Sequence, residues 1–529
     1  MTPRGGVAER VPPVEGARAG SLRPVTTAIA LCALVALLLR VLLLSKPGHL
    51  LGVTEADDGV LFGNAMRLAG GVIPYRDFSD VQPPGSFLLM LPLALVAKIT
   101  GSAWGLAIAR MLTVAADTAN VVLIGLLVRH RGVPTVVMAC GIYAVYPDAL
   151  VASASFLLEP WLNLFCLLGA VAVFSGDRFA RSRRRLVLGG AAFGFGVAVK
   201  LWALVPLGIV FLLLLAIRRC RWRAVPFLAG GLAGFGVPSL PFWLMAPAAF
   251  VDGVFTGQYG RSEAGQNGLS TSRLSDLLGQ LALPPLPTRV TVAVLVVLGL
   301  LVVAGYLVSR PWALDVYAVA GCVAVFVMLL LPRLYYSHYG SFAGPFLALT
   351  VALPVGRLIA VLPVSRFAAR ALGAAAAVVV GLPLVWVGVR GVQALTAVPG
   401  GPSVTVAKQL IPAGSCVLTD SPSYTVAADR FVTRPGCPAL VDPQGTLIAM
   451  TNGTEFSATP SARARVSALW LSGLEQAQYV WLFEGNGTRV PWNHELHTYL
   501  QSHFRLIAFR GPASNFPYDP PSGLYKRTA

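Results

Sequence analysis

Long apolar runs, separated by short polar segments, fill the first 390 residues of the chain. A run of roughly 17–25 apolar residues can cross a bilayer as a helix. The pattern therefore predicts a polytopic α-helical membrane protein with about 11 transmembrane helices. Two of these helices form a hairpin over 186–217, and the others are expected at about 25–45, 104–128, 133–150, 160–175, 224–246, 288–308, 313–331, 341–360 and 370–390.

Two segments decide how the chain threads the membrane. Basic clusters bracket the run 186–217, and basic loops stay in the cytoplasm, so this run must turn back on itself, with Lys200 at its outer turn. The apolar segment 85–101 is short and contains Pro92. Counted as a span, it would invert every basic loop downstream. We therefore expect it to lie along the outer interface or to be re-entrant.

Composition supports the membrane assignment, with 56% hydrophobic residues and 12% charged residues among 529. The net charge of +18 is concentrated in short loops such as "DRFARSRRR" (177–185) and "RRCRWR" (218–223). These runs indicate cytoplasmic loops rather than a nucleic-acid site. The polar segment 1–24 is expected to be disordered and cytoplasmic, and the helix after it to be a retained signal anchor.

Composition changes at about 392, which divides the chain into a transmembrane domain (25–391) and a small α/β domain (392–529). Within the former, 46–103 and 247–287 are expected to be loops on the outer face. In the latter, "SCVLTD", "YVWLF" and "FRLIAF" are typical of strands and "PWNHELHTYLQSHF" of a helix. If this domain lies outside the cell, Cys416 and Cys437 are expected to form a disulfide.

The loop after the first helix, "TEADDGVLFGNAMRLAGGVIPYRDFSDVQPPG" (54–85), is unusually acidic. Its five carboxylates are Glu55, Asp57, Asp58, Asp77 and Asp80. Acids at a helix start favour the helix dipole, which would explain one of them. A triplet at a membrane edge instead indicates function, because such carboxylates are costly to desolvate. The predicted topology places this loop on the same side as Glu159, Lys200 and "RLYYSHYGSF" (333–342).

In order and spacing, this loop resembles the first outer loop of the protein O-mannosyltransferase superfamily, which is glycosyltransferase family 39-like. The nearest members are bacterial, the aminoarabinose transferases of lipid A and the RgtA–D-like sugar transferases. In them an acidic pair, usually Asp-Glu, is followed by an aromatic residue, an Ala-rich helix, Gly-x-x-Pro-Tyr and Pro-Pro-Leu or Pro-Pro-Gly. The similarity continues more weakly through "FLLEPWLNLF" (156–165) and "AVKLWALVPL" (198–207). Beyond about 220 it is architectural only.

The resemblance implies a GT-C fold in the cell membrane and transfer of a sugar from a polyprenyl-phosphate donor on the outer face. By the match, Asp57 is expected to be the general base that deprotonates the acceptor hydroxyl. Asp58 would orient the acceptor or hold Asp57 in place. Lys200 would bind the leaving phosphate, although a lone Lys near a helix end is often only an interfacial anchor. Glu159 would contact the acceptor or the donor sugar.

The chain departs from the family pattern in two places. Its acidic pair ends in Asp58 rather than Glu, and Gln82 stands where the aminoarabinose transferases have a Lys that meets the phosphate. Gln82 becomes a substrate-binding candidate, and the missing charge would come from Arg76, or from Lys200 together with Arg333.

A second group of candidates lies in "RLYYSHYGSFAGP" (333–345). An interfacial aromatic belt accounts for its tyrosines. Tyr336 and His338, next to a basic residue, equally suit a site for a sugar and a lipid phosphate, because aromatic rings stack on sugars. Both interpretations stay open.

Three functions compete: an inverting glycosyltransferase of the bacterial cell envelope, a transporter or flippase of lipid-linked sugars, and a scaffold protein. Common transporters show inverted repeats with broken helices near mid-membrane, and the sequence shows none, which favours the enzyme. Mannose and arabinose are attractive donor sugars, and the acceptor is a glycan, a lipid or a protein. No cofactor is expected to be obligatory, although the acidic loop could hold a divalent cation.

Overall fold

The computed structural model describes residues 22–257, 271–280, 287–332, 335–361, 382, 385–393, 402–450, 460–483, 489–510 and 521–528. Most of the described chain before residue 361 is helical. Its helices are α1 (Leu22–Leu44), α2 (Asp57–Ala69), α3 (Gly85–Thr100), α4 (Ser102–Val128), α5 (Val133–Val145), α6 (Pro147–Ser153), α7 (Leu158–Val173), α8 (Arg183–Val199), α9 (Leu204–Ala216), α10 (Ala224–Met245), α11 (Pro247–Val251), α12 (Thr271–Ser275), α13 (Thr288–Val308), α14 (Ala313–Leu330) and α15 (Gly344–Ala360). A short hairpin of β1 (Phe174–Ser175) and β2 (Arg178–Phe179) follows α7.

Within the described residues, five helices are long and apolar enough to cross a membrane, or six if the bent pair α5–α6 is one span. The predicted number of about 11 is therefore not confirmed. Predicted spans are shortened or broken: α5 and α6 meet at an angle of 55°, and the run 160–175 becomes the 16-residue helix α7. The predicted span 370–390 lies largely outside the described residues.

The run 186–217 is interrupted where the hairpin interpretation places its turn. Helix α8 ends at Val199, Lys200 is extended (φ −156°, ψ 131°), and a single 3-10 turn leads into α9. The segment 85–101 forms α3, whose 16 residues extend about 24 Å at the helical rise, less than the roughly 30 Å of a hydrocarbon core.

A buried ion pair joins three helices inside the bundle. The Arg40 guanidinium on α1 and the Asp117 carboxylate on α4 are 2.6 Å apart, and both side chains are fully buried. Arg40 also donates to the Ala144 carbonyl oxygen on α5 (2.9 Å), and the Tyr143 hydroxyl donates to Asp117 (2.5 Å). The charges are thus compensated by partners that hold α1, α4 and α5 together.

The C-terminal part of the chain contains a four-stranded mixed sheet flanked by helices. Its elements are α16 (Pro402–Leu410), β3 (Val417–Thr419), α17 (Pro422–Ala427), α18 (Pro443–Met450), α19 (Pro460–Gln476), β4 (Tyr479–Phe483), α20 (His494–His503), β5 (Phe504–Arg510) and β6 (Ser522–Arg527). The strand order is β3-β4-β6-β5, with β3 parallel to β4 and the other pairs antiparallel. A disulfide joins Cys416 to Cys437, whose Cα atoms are 5.0 Å apart.

This C-terminal part packs directly against the loop and helices that follow α1. The Ser423 hydroxyl accepts a hydrogen bond from the Gly59 amide (3.2 Å) and donates to the Ala56 carbonyl (2.5 Å). A Cβ on Gly59 would lie 2.2 Å from the Ser423 Cα, so only glycine permits this approach. At the start of α4, the Asp429 carboxylate accepts from the Ala103 amide (2.9 Å).

A basic cluster lies at the opposite end of α4 and α7. There Arg131 pairs with Asp177 (2.7 Å) and with Asp315 of α14 (3.4 Å). Since α4 begins at the C-terminal part and ends beside Arg131, the two ends of the bundle are chemically different, one basic and the other covered by the C-terminal part.

Candidate active site

A cleft opens at the bundle end that carries the C-terminal part. The space between its walls is about 560 Å³ when the open solvent at its mouth is included. Its polar lining comes from α2, the loop before α3, the start of α7, the α8–α9 junction, the segment 337–342 and the start of α18. These polar residues are Asp57, Asn64, Asp80, Gln82, Glu159, Lys200, His338, Tyr339, Asp442 and Gln444.

The two acids of the predicted pair have different surroundings. Asp57 begins α2, is partly exposed and faces the cleft. Among the described residues, none donates a hydrogen bond to its carboxylate. Asp58 is fully buried and accepts hydrogen bonds from the Arg110 guanidinium (2.5 Å) and the Ser155 hydroxyl. Adjacent positions on a helix point in different directions, which explains why one acid faces the cleft and the other faces the bundle.

Besides Asp58, Arg110 also binds the segment that leads into α2. Its second terminal nitrogen donates to the carbonyl oxygens of His49 (3.0 Å), Leu50 (2.8 Å) and Gly52 (2.8 Å). A single α4 side chain thereby joins the end of the first connecting loop to the first turn of α2. The position of Asp57 is set by this arrangement.

The loop before α3 brings Asp80 into the cleft through a strained turn. Tyr75 has a left-handed backbone (φ 65°), which is uncommon for a non-glycine residue. Its ring packs against Phe87, Phe242 and Phe250, and its hydroxyl donates to the Gln82 carbonyl. The loop is closed on itself at this bond, with Asp80 inside it.

Lys200 and Glu159 form the central ion pair of the cleft. The Lys200 ammonium lies 2.5 Å from the Glu159 carboxylate. The same nitrogen lies 3.6 Å from the centre of the Trp202 ring and 4.3 Å from that of Tyr339, distances at which aromatic faces attract a cation. The ammonium is nearly enclosed, with 11% of the side chain exposed.

His338 enters the cleft from a 3-10 segment, Ser337–Phe342. Its ring is buried and stacks on that of Tyr336, with 5.7 Å between centroids and 3° between planes. Asn163 of α7 donates to the Ser341 carbonyl (2.8 Å), which ties this segment to the helix that carries Glu159. Both predicted aromatic-segment residues therefore lie together, and His338 faces the cleft.

The other two predicted phosphate-binding residues, Arg76 and Arg333, have different outcomes. Arg76 lies at the surface, paired with its neighbour Asp77 (2.8 Å), and does not line the cleft. Arg333 lies outside the described residues. Lys200 is the predicted phosphate cation that the structure places at the cleft.

Sequence reasoning gave no role to Asn64, Asp80, Asp442 or Gln444, all of which line the cleft. Asp80 stands in the acidic loop, three residues before Pro83, so the same loop signal could have identified it. Asp442 and Gln444 come from "VDPQG" at the start of α18, where an acid before a helix is normally a cap. Nothing in the sequence connects them with a loop some 360 residues earlier.

Two acids of this region hold protons unusually tightly. Burial, followed by the nearby carboxylate Asp57, raises the pKa of Glu55 from 4.5 to about 8. Burial also raises the pKa of Asp80 to about 7, and the like charge of Asp442 contributes. Near neutral pH, the cleft therefore carries fewer negative charges than its number of carboxyl groups indicates.

We expect the free energy of unfolding to fall as pH rises from about 5 to about 8.5. The Glu55→Gln variant should lose less stability over the same range. The pKa of Glu55 is about 8 in the fold, so the unfolded chain loses this proton at lower pH. The contribution of protonated Glu55 to the free energy of unfolding is fully present below pH 4.5 and is lost as pH rises through 8. The measurement is the apparent melting temperature of detergent-solubilised protein across this range, with Glu495→Gln, on the surface of α20, as the control. A Glu55→Gln slope equal to that of the wild type would contradict the assignment.

Comparison with known proteins agrees with this architecture. A sequence model of Glycosyltransferase family 87 matches residues 81–332, which include Gln82, Glu159 and Lys200 but not Asp57. No curated protein sequence matches the chain significantly.

Solved structures show the same fold at low identity. ArnT from Cupriavidus metallidurans bound to undecaprenyl phosphate aligns with a TM-score of 0.58 and 14% identity, over 94% of this chain and 98% of that one. Its apo state gives a TM-score of 0.60 with 12% identity and the same coverage. The oligosaccharyltransferase AglB from Archaeoglobus fulgidus, in complex with an inhibitory peptide and a dolichol-phosphate, gives 0.52 with 12% identity, over 95% of this chain and 74% of that one.

Proposed function

We propose that this chain is a membrane glycosyltransferase of the GT-C type that moves a sugar from a polyprenyl-phosphate donor to a cell-envelope acceptor. The match to Glycosyltransferase family 87 and the fold shared with ArnT and AglB support this proposal. The donor sugar is mannose, arabinose or a similar sugar. The structures of ArnT with undecaprenyl phosphate and of AglB with a dolichol-phosphate support a polyprenyl-phosphate carrier.

One observation carries this proposal. Asp57 and Lys200 are 143 positions apart in the sequence, yet both line one cleft. A glycosyl transfer from a lipid phosphate needs a base for the attacking hydroxyl and a cation for the departing phosphate. The cleft offers both, on the same side of the bundle.

In the proposed reaction Asp57 is the general base. The acceptor oxygen attacks the anomeric carbon, its proton passes to the Asp57 carboxylate, and the bond between that carbon and the phosphate oxygen breaks. The electron pair of that bond leaves with the polyprenyl phosphate. A single displacement of this kind inverts the anomeric configuration. The absence of donors to Asp57 among the described residues leaves its oxygens available for a substrate hydroxyl.

Lys200 is proposed to neutralise the departing phosphate, together with Arg333. In the structure the ammonium is paired with Glu159 and faces Trp202 and Tyr339. A buried charge needs such partners while no phosphate is bound. Glu159 therefore keeps the Lys200 ammonium charged and in position. A phosphate oxygen would bind the same ammonium alongside the Glu159 carboxylate.

The remaining predicted residues have supporting roles. Asp58 is proposed to hold Asp57 in place through Arg110 and Ser155 rather than to touch the acceptor. His338 and Tyr336 present stacked rings next to the ion pair and suit a sugar or lipid-phosphate headgroup. Gln82 contributes a side-chain amide to the same cleft.

We place the cleft and the C-terminal part on the extracytoplasmic face of the membrane. The basic segments around Arg131 and Arg183 lie at the other end of the bundle, and basic loops favour the cytoplasm. The disulfide between Cys416 and Cys437 is consistent with an oxidising compartment.

We propose that no metal ion is obligatory for the reaction. Lys200 supplies positive charge where the phosphate would leave. A divalent cation at the acidic loop would assist rather than be obligatory.

The test is incubation of the purified full-length protein with a panel of labelled polyprenyl-phosphate sugars. We expect the wild-type protein to consume one donor and release the polyprenyl phosphate. Failure to consume any donor, together with movement of lipid-linked sugars across proteoliposome membranes, would instead favour a transporter.

A further inference from the structure

The C-terminal part supplies one wall of the cleft. Asp442 and Gln444, at the start of α18, line it beside the loop that holds Asp80. The ideal Cβ position of Gly445 lies 3.1 Å from a Val81 methyl group, so α18 begins in direct contact with that loop. Hydrogen bonds from Ser423 to Ala56 and from Arg67 of α2 to the Pro438 carbonyl fix this wall against the membrane part.

Hydrogen-bond acceptors dominate this side of the cleft. The Asn64 amide nitrogen donates to Asp80 (2.7 Å), which fixes the orientation of the Asn64 side chain. Its amide oxygen is then buried without a hydrogen-bond partner among the described residues, and Asn64 is only 2% exposed. An acceptor of this kind is costly to leave unsatisfied. The site therefore suits a ligand that donates hydrogen bonds.

The two carboxyl groups beside Asn64 also accept hydrogen bonds. Asp80 is buried, and its other oxygen accepts from the Gln82 amide (2.8 Å). Asp442 caps α18, with one oxygen accepting from the Gly445 amide (2.8 Å). An ionised carboxylate only accepts hydrogen bonds and repels anionic groups. Because burial raises the pKa of Asp80 to about 7, this group is only partly ionised near neutral pH, and the repulsion of an anionic ligand comes mainly from Asp442. Among the residues that line the cleft, the Lys200 ammonium is paired with Glu159.

Resting on the proposed glycosyl transfer, we infer that Asn64, Asp80 and Asp442 form the acceptor subsite and select an uncharged carbohydrate. Neighbouring hydroxyl groups of a sugar would donate to the Asn64 oxygen and to the two carboxylates. A phosphorylated or carboxylated acceptor would bring like charge against Asp442 and against the ionised fraction of Asp80. The acceptor class is therefore a neutral glycan rather than a phospholipid headgroup or an acidic peptide.

The decisive variant is Asp442→Asn, because asparagine caps helices as well as aspartate does and keeps the side-chain shape. With the donor that the wild-type protein consumes, methyl mannoside and methyl arabinofuranoside are offered as neutral acceptors and mannose 6-phosphate as the charged one. We expect neutral acceptors to be used in preference to the phosphate. Asp442→Asn should raise the acceptor KM about tenfold or more, as expected for losing hydrogen bonds to a charged group. The surface variant Glu495→Gln should leave that KM unchanged.

Binding provides a second measurement that needs no turnover. Saturation-transfer NMR with the methyl glycosides should detect binding to the wild-type protein and a weaker signal with Asp442→Asn or Gln444→Ala. An unchanged acceptor KM and unchanged NMR signal in both variants would overturn the inference, as would equal use of mannose 6-phosphate. A rise in donor KM alone would assign Asp442 to the donor. Glycoside binding without consumption of any donor would instead place the failure in the proposed transfer reaction.

Discussion

Replacing Asp57 by asparagine is expected to slow sugar transfer roughly 10²–10⁴-fold, the range typical for loss of a general base. Asparagine keeps the side-chain volume at the start of α2 but cannot accept the proton of the attacking hydroxyl. Because Asp57 holds no ion pair among the described residues, the variant should fold and insert normally. The measurement is donor consumption by purified protein under single-turnover conditions, which separates chemistry from product release.

Asp77 provides the matched control in the same loop. Its carboxylate lies at the surface and pairs with Arg76, away from the cleft. Asp77→Asn should therefore retain close to wild-type transfer. Equal loss in both variants would point to a general effect of the loop charge, and full activity of Asp57→Asn would remove Asp57 from the mechanism.

Lys200→Met is expected to reduce transfer roughly 10²–10³-fold, the cost of losing one electrostatic contact to a developing negative charge. Methionine fills a similar volume without the ammonium. The change also leaves the Glu159 carboxylate buried without its partner, which typically destabilises a protein by about 3–5 kcal/mol. Activity of Lys200→Met is therefore informative only alongside the protein's stability.

The double variant Lys200→Met/Glu159→Gln separates the two effects. It removes both charges, so the melting temperature should return towards that of the wild type. If Lys200 acts on the phosphate, transfer stays low in this variant. Recovery of both stability and transfer would show instead that Lys200 serves only to neutralise Glu159. Donor consumption and thermal unfolding of the same preparations provide the comparison.

The sequence was most informative where local chemistry and chain order coincide. The hydrophobic pattern predicted an apolar helical protein, and the basic clusters around 186–217 predicted a turn at Lys200, where the structure breaks the helix. The same topology put Asp57, Glu159 and Lys200 on one side of the membrane, and all three line the cleft. Charge placement constrains which ends of helices share a side.

Span length was less predictable from the sequence. Composition does not reveal where a hydrophobic run stops being one straight helix. The run 133–150 bends by 55° before Pro147, because proline disfavours helical geometry in the residue that precedes it. The run 160–175 similarly forms a helix too short to be counted with the five long ones.

Contacts between distant segments could not be predicted at all. Asp57 and Asp58 are neighbouring acids in the sequence. Only the position of Arg110 on α4 shows that Asp58 is buried in an ion pair, whereas Asp57 faces the cleft. Likewise, "VDPQG" indicates only a helix cap. Its place beside Asp80 depends on how the C-terminal part packs on α2, through contacts such as that of Gly59 with Ser423.

The pair formed by Arg40 and Asp117 bears on how the chain is made. Arg40 belongs to the first apolar helix, whereas its counter-ion is synthesised 77 residues later. A lone guanidinium in hydrocarbon is unfavourable by several kcal/mol. The Arg40 guanidinium therefore gains its buried counter-ion only after α4 has been synthesised. The final packing of the first helix depends on a helix that is made later.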